Sequence, residues 1–132
     1  MCENCCGSNA SPVNFLLDSN IVIGVVNNQA DLQESIGNGI VYISAVTVME
    51  LYALAGTGVE EERRIDAALA LTNILPVTPA IARCAGILSR TRRRNKPDLL
   101  IAATALEEQL ILVTKNLRDF RSIPELKVQA TL

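Results

Sequence analysis

Apolar and polar positions along this chain change rhythm in blocks. Short apolar runs of strand length stand at 13–18 ("VNFLLD"), 39–44 ("GIVYIS"), 74–78 ("ILPVT", interrupted by Pro76), 110–114 ("LILVT") and 126–129 ("LKVQ"). Between them, stretches with helical spacing cover about 20–27, 45–55, 59–73, 79–94 and 97–109. The first boundary depends on Asp18-Ser19-Asn20: these turn and cap residues separate the first strand from "IVIGVV", which would otherwise extend it. Such alternation predicts an α/β fold, a three-layer α/β/α sandwich with a mainly parallel central sheet of four or five strands.

Length and composition narrow the picture. At 132 residues and 49% apolar content the chain is sized for one domain with a real core, and it shows neither an internal repeat nor a linker. The apolar stretch from Leu99 to Leu106 falls well short of the roughly 18 residues of a membrane span. The first residues lack a charged segment followed by an apolar one, so no secretory signal is expected and the location predicted is cytoplasmic. Cys2, Cys5 and Cys6 crowd into "MCENCCG" and Cys84 stands alone on a helical stretch, which is not disulfide spacing. A zinc site would need those three and a distant fourth ligand. Residues 1–12 are therefore expected to be a disordered leader or a cloning remnant, with the folded domain at 13–132. The chain contains no histidine, so chemistry must come from carboxylates, hydroxyls or Lys and Arg.

A net charge of −2 does not suggest a nucleic-acid partner, but the distribution does. Five of the seven residues in "RTRRRNK" are basic: Arg90, Arg92, Arg93, Arg94 and Lys96. A local patch can steer a phosphate backbone even on an acidic protein. The alternative is a solvated helix end whose cations complement the helix dipole.

Directly after that run comes "PDLLI", and its Asp98 is one of three acids in unusual places. Pro97 suits a helix's first turn, where the positive helix end favours an ionised Asp98, and Ala102 and Ala105 follow along the same side. Glu50 is the sole charge in "AVTVMELYALA" and shares a stripe with Val46 and Leu54. Asp18 ends the first strand, as Ser44 and Thr114 end two others. In an open parallel sheet ligands bind beyond the carboxyl ends of the strands, so these acids should share one rim. Taken singly, Asp18 could cap a helix, Asp98 could favour a dipole and Glu50 could pair with an arginine. Together they repel: two carboxylates ~5 Å apart cost about 3 kcal/mol at an effective dielectric of about 20. A hard divalent cation between them removes that cost, and Mg²⁺ also accepts phosphate oxygens as ligands. Acids holding a metal beside a patch that holds a polyanion amount to nuclease chemistry.

"FLLDSNIVI", "ISAVTVMELYAL", "PDLLIAATAL" and "LILVTKNLRDFRSIPELKV" resemble, in order and spacing, blocks of the PIN-domain ribonucleases of the VapC toxin type, over about 13–129. The resemblance implies a PIN fold and an endoribonuclease dependent on Mg²⁺ or Mn²⁺. Carried over by position, Asp18, Glu50 and Asp98 match the first three family acids. Where the family often has Asp two residues after the Thr corresponding to Thr114, this chain has Asn116, which makes Asp119 the expected fourth acid and puts a second tightly bound metal in doubt. Metal ligation is thus expected of Asp18, Asp98 and Asp119, support from Asn20, Thr114 and Asn116, and RNA binding from Arg90, Arg92, Arg93, Arg94 and Lys96. The resemblance further implies a cognate antitoxin and a homodimer formed through helices near Glu50. Independently, "AVTVMELYALAG" is apolar nearly all round, more than one buried face requires.

Two rivals belong to other classes. A phosphoacceptor receiver domain would need an acidic pair after the first strand and an Asp ending the middle one, and this chain has neither. A PIN-like RNA-binding or protein-interaction module without activity would have lost core acids, whereas Asp18, Glu50 and Asp98 are all present.

Overall fold

The computed structural model describes residues 13–27, 39–56, 58–93 and 95–130. The leader expected at 1–12, with Cys2, Cys5 and Cys6, and Arg94 of the basic run lie outside the described residues. Five strands, β1 (Asn14–Leu17), β2 (Ile40–Ser44), β3 (Asn73–Leu75), β4 (Ile111–Val113) and β5 (Val128–Gln129), form one sheet in the order β3-β2-β1-β4-β5. Every pairing is parallel. The helices among these residues are α1 (Ser19–Asn27), α2 (Ala45–Ala55), α3 (Val59–Leu69), α4 (Pro79–Ser89), α5 (Lys96–Glu108) and α6 (Leu117–Phe120).

Strand β1 shows how the layers arise. Successive side chains point to opposite faces, and both faces of a parallel sheet are covered, so a strand at its centre must be apolar throughout. Phe15 and Leu17 pack with Val22 of α1, Leu51 of α2 and Ile65 of α3. Leu16 packs the other way, against Ile101, Ala102 and Ala105 of α5 and Phe120 of α6. A third cluster joins Ile81 and Ala85 of α4 to Leu99 and Ala103 of α5. Helix α5 is therefore enclosed between the sheet and α4, which explains why it is buried continuously from Ile101 to Ala105 while Glu107 and Glu108 face water.

Local chemistry sets the helix ends. Ser44 Oγ caps α2 by accepting the Val46 N–H at 3.0 Å, and Thr78 Oγ1 caps α4 by accepting the Ile81 N–H at 3.1 Å. Helix α3 stops at Leu69, short of the expected 73, because the Leu71 and Thr72 amides turn back three residues to Ala68 and Leu69 and Thr72 Oγ1 also donates to the Leu69 carbonyl. Helix α4 stops at Ser89, not 94: the Arg90 N–H tightens onto the Ile87 carbonyl, and a continued helix would stack like charges a turn apart. The hydrophobic pattern does not predict the short α6. Among the described residues no helix is long and apolar enough to cross a membrane.

Candidate active site at the carboxyl edge of the sheet

The first strand, β1, lies in the middle of the sheet; β2 and β3 follow outward on one side of it, and β4 lies on the other. Between β1 and β4 the strand order reverses, and the helices following those strands diverge to leave a crevice. Asp18 and Thr114 are the residues immediately after these two strands.

Asp18 is held from every side. Its N–H donates to the Val113 carbonyl at 3.0 Å, and its own carbonyl receives the Ile21 and Val22 amides opening α1. Its carboxylate accepts the Ser19 N–H on Oδ1 at 2.8 Å and the Thr114 hydroxyl on Oδ2 at 2.8 Å. Thr114 Oγ1 in turn accepts the Asn116 N–H at 3.0 Å. With Asp18 4% exposed and Thr114 fully buried, this chain of donors is what makes a carboxylate tolerable there.

Glu50 is half-buried on α2. Burial raises its pKa, the Asp18 and Asp98 charges raise it further, and a hydrogen bond with the Ser19 side chain lowers it in part. Its Oε1 is buried and accepts no hydrogen bond. Glu50 thus stands within electrostatic reach of both Asp18 and Asp98. As placed, no three His, Cys, Asp or Glu among the described residues lie close enough together to ligate one ion.

Asp98 also faces outward. It occupies the first turn of α5 with Pro97, half-buried, and lines an open cleft of about 650 Å³ with Thr91, Arg92, Arg93, Asn95, Asp119 and Ser122. Acid and base meet here: the basic run reaches the cleft through Arg92 and Arg93, and Asp119 enters from α6. Arg90, Arg93 and Lys96 are exposed, whereas Arg92 is half-buried. Asn20 and Asn116 are exposed, and Asn116 reaches the site through its backbone N–H. Ser19, Asn95 and Ser122 join the site without any signal in the sequence pattern that singles them out for it. Ser19 sits in the very turn that the sequence marks, where its capping chemistry hides its contact with Glu50.

A PIN-domain family model matches residues 15–126. Ribonuclease VapC10 of Mycobacterium tuberculosis is 36% identical over 122 residues, which covers 86% of this chain and 90% of that protein. The tRNA(fMet)-specific endonuclease VapC of Shigella flexneri is 32% identical over 126 residues, 87% of this chain and 96% of that protein. Among solved structures, a toxin–antitoxin complex from Klebsiella pneumoniae contains a chain that superposes with a TM-score of 0.70 at 30% identity, covering 87% of this chain and 95% of that one. With the acids on the switch-point rim and the family's blocks in order, the chain belongs to the PIN-domain family and stands within it among the VapC proteins.

Proposed function

We propose that this chain is a divalent-metal-dependent endoribonuclease, the toxin half of a VapBC-type toxin–antitoxin pair acting in the cytoplasm. One observation carries the chemistry: a half-buried Glu50 with an orphaned oxygen, facing the charges of Asp18 and Asp98. Such a group fits a hard cation, because all the donors are carboxylate oxygens and their mutual repulsion is otherwise uncompensated. Asp18, Asp98 and Asp119 are the carboxylates that would hold Mg²⁺ or Mn²⁺, drawing together from their present spacing to do so. When bound, the ion polarises a phosphodiester oxygen and acidifies water.

The chain's own groups do the rest. Asp18 is pinned by Ser19 and Thr114 and cannot swing away. Glu50 holds its proton more tightly than an ordinary carboxylate, through burial first and then the charges of Asp18 and Asp98, and its unpartnered Oε1 is the group on this chain suited to accept a proton in the reaction. Arg90, Arg93 and Lys96 present charge to the phosphates around the cleft, with Arg94 of the same run outside the described residues. With two Tyr, two Phe and no Trp, recognition rests on backbone shape and charge more than on stacked bases.

The names of the relatives, a ribonuclease and a tRNA-cleaving endonuclease, support RNA as the substrate, and the toxin–antitoxin complex supports an antitoxin partner. A homodimer is supported by Met49 and Leu54, which are 60% and 68% exposed on the apolar α2. Cleavage of pooled tRNA by antitoxin-free protein with Mg²⁺, Mn²⁺ or EDTA tests the proposal. Metal-dependent cutting supports it, and a folded protein that cuts nothing with either metal leaves the interaction-module reading in its place.

A further inference from the structure

The basic run is not uniform in the folded protein. Arg93 is exposed, but Arg92 is half-buried in the cleft wall and its guanidinium is engaged. Nη2 donates to the Ser122 carbonyl at 3.1 Å, thirty residues away in the chain, and Nη1 donates to Thr91 Oγ1 at 3.3 Å. Nε is buried without a hydrogen bond. A guanidinium whose role was to meet phosphate in solvent would keep its nitrogens hydrated and free to follow the ligand. This one has given up water at Nε to sit against one particular carbonyl.

What the bond connects matters more than its strength. Arg92 lies in the segment from α4 to α5, three residues before Asn95 and six before Asp98. Ser122 lies in the turn after α6, three residues beyond Asp119. Asp98 and Asp119 enter the same cleft from these two segments. The Arg92–Ser122 bond ties these two segments together directly. A planar fork suits this task, since two nitrogens fixed in one plane set an orientation that a single ammonium cannot.

We propose that Arg92 is a positioning residue, a latch that holds the Asp98 segment against the Asp119 turn, and that it is not one of the cations binding RNA phosphate. The kinetic part rests on the nuclease function proposed above; the structural part does not. Removing the latch leaves encounter with RNA intact and spoils the relative placement of the two acids, a kind of misplacement that costs up to about a hundredfold in rate.

The decisive comparison is Arg92→Lys and Arg92→Ala beside Arg93→Ala. Cleavage of pooled tRNA would be followed with Mg²⁺, tRNA binding in EDTA across a KCl series, and exchange of the Leu99, Asp119, Arg121 and Ile123 amides by hydrogen–deuterium exchange. Arg92→Lys keeps the charge and removes the fork: kcat is expected to fall about tenfold or more with KM, melting temperature and salt slope unchanged, and the four amides to exchange faster. Arg93→Ala should instead lower the salt slope by about 0.7–0.9, for one phosphate no longer neutralised, and leave the exchange of the four amides as in wild type. Wild-type kcat in Arg92→Lys, or a salt slope in Arg92→Ala reduced as in Arg93→Ala with unchanged amide exchange, overturns the latch. If Arg92→Ala does not fold, Arg92→Lys decides. If the wild-type protein cuts no RNA, the nuclease proposal fails while amide exchange still judges the latch: faster exchange in the Arg92 variants sustains it, and unchanged exchange ends it.

Discussion

Thr114 Oγ1 donates to Asp18 Oδ2 at 2.8 Å between two buried residues that lie 96 positions apart in the chain. The bond spans the point where the strand order reverses, and it joins the ends of the two strands flanking the crevice. Val in place of Thr114 keeps the shape and removes both donor and acceptor, leaving Asp18 Oδ2 and the Asn116 N–H without their partner. Since a hydrogen bond to a buried charge is worth about 1.5–3 kcal/mol, Thr114→Val should lower stability by about that amount, and Thr114→Ser should recover most of it. Urea denaturation in EDTA measures this directly. A valine variant as stable as wild type would mean that Asp18 is held by its backbone contacts alone.

Asp98 belongs to both halves of the site, since it faces Glu50 on one side and the basic cleft on the other. Asp98→Asn keeps the size and the first-turn position but removes the charge. Cleavage should fall to background, with an unchanged circular dichroism spectrum and a melting temperature within a few degrees of wild type. An asparagine variant as active as wild type would disprove the site assignment.

Glu50 ties pH to stability. Its proton affinity is raised first by burial and then by Asp18 and Asp98, so the folded state binds that proton more tightly than the unfolded state does. The resulting contribution is fully present below the ordinary value of 4.5 and is lost as pH rises through the raised folded value. At neutral pH in EDTA that contribution is diminished, and the Glu50 carboxyl is therefore a burden on the fold. Glu50→Gln should melt at a higher temperature than wild type at pH 7, with the gap closing as pH falls toward 4.5, while its cleavage is strongly impaired. Thermal melts across that range check it. A glutamine variant that melts at or below wild type throughout would show that the Glu50 environment carries no such burden.

The parts of this architecture written in periodicity are legible before folding. The apolar runs of β1, β2 and β4 announce a sheet buried on both faces, and Asp18, Glu50 and Asp98 stand out because each interrupts an apolar block that had no structural need of a charge. The edge strand β3, expected at 74–78, lies at Asn73–Leu75, since only one of its neighbours is a strand and its residues are exposed or half-buried, giving the pattern little to register. The α6 turn is illegible for another reason: four residues cannot display a helical period. Arg92 and Arg93 look alike as letters. Only the fold, by bringing the Ser122 carbonyl to one of them, tells them apart.

The fourth acid is where position in sequence and position in space diverge most usefully. Asn116 stands two residues after Thr114, yet what it gives the site is its backbone N–H on Thr114 Oγ1, and any residue but proline supplies that group. Asp119, one turn further along α6, lines the cleft with Asp98. Asn116→Ala should therefore stay within about threefold of wild-type cleavage, and Asp119→Asn should lose about ten- to hundredfold, the scale expected when one group that positions or stabilises the reacting phosphate is removed. Parallel single-turnover assays of the two variants on the same RNA, with Mn²⁺ titrated in each, separate the assignments: the apparent metal requirement should rise in Asp119→Asn and not in Asn116→Ala. If the order is reversed, the site is built around the Asn116 side chain, and Asp119 serves the cleft only as a surface charge.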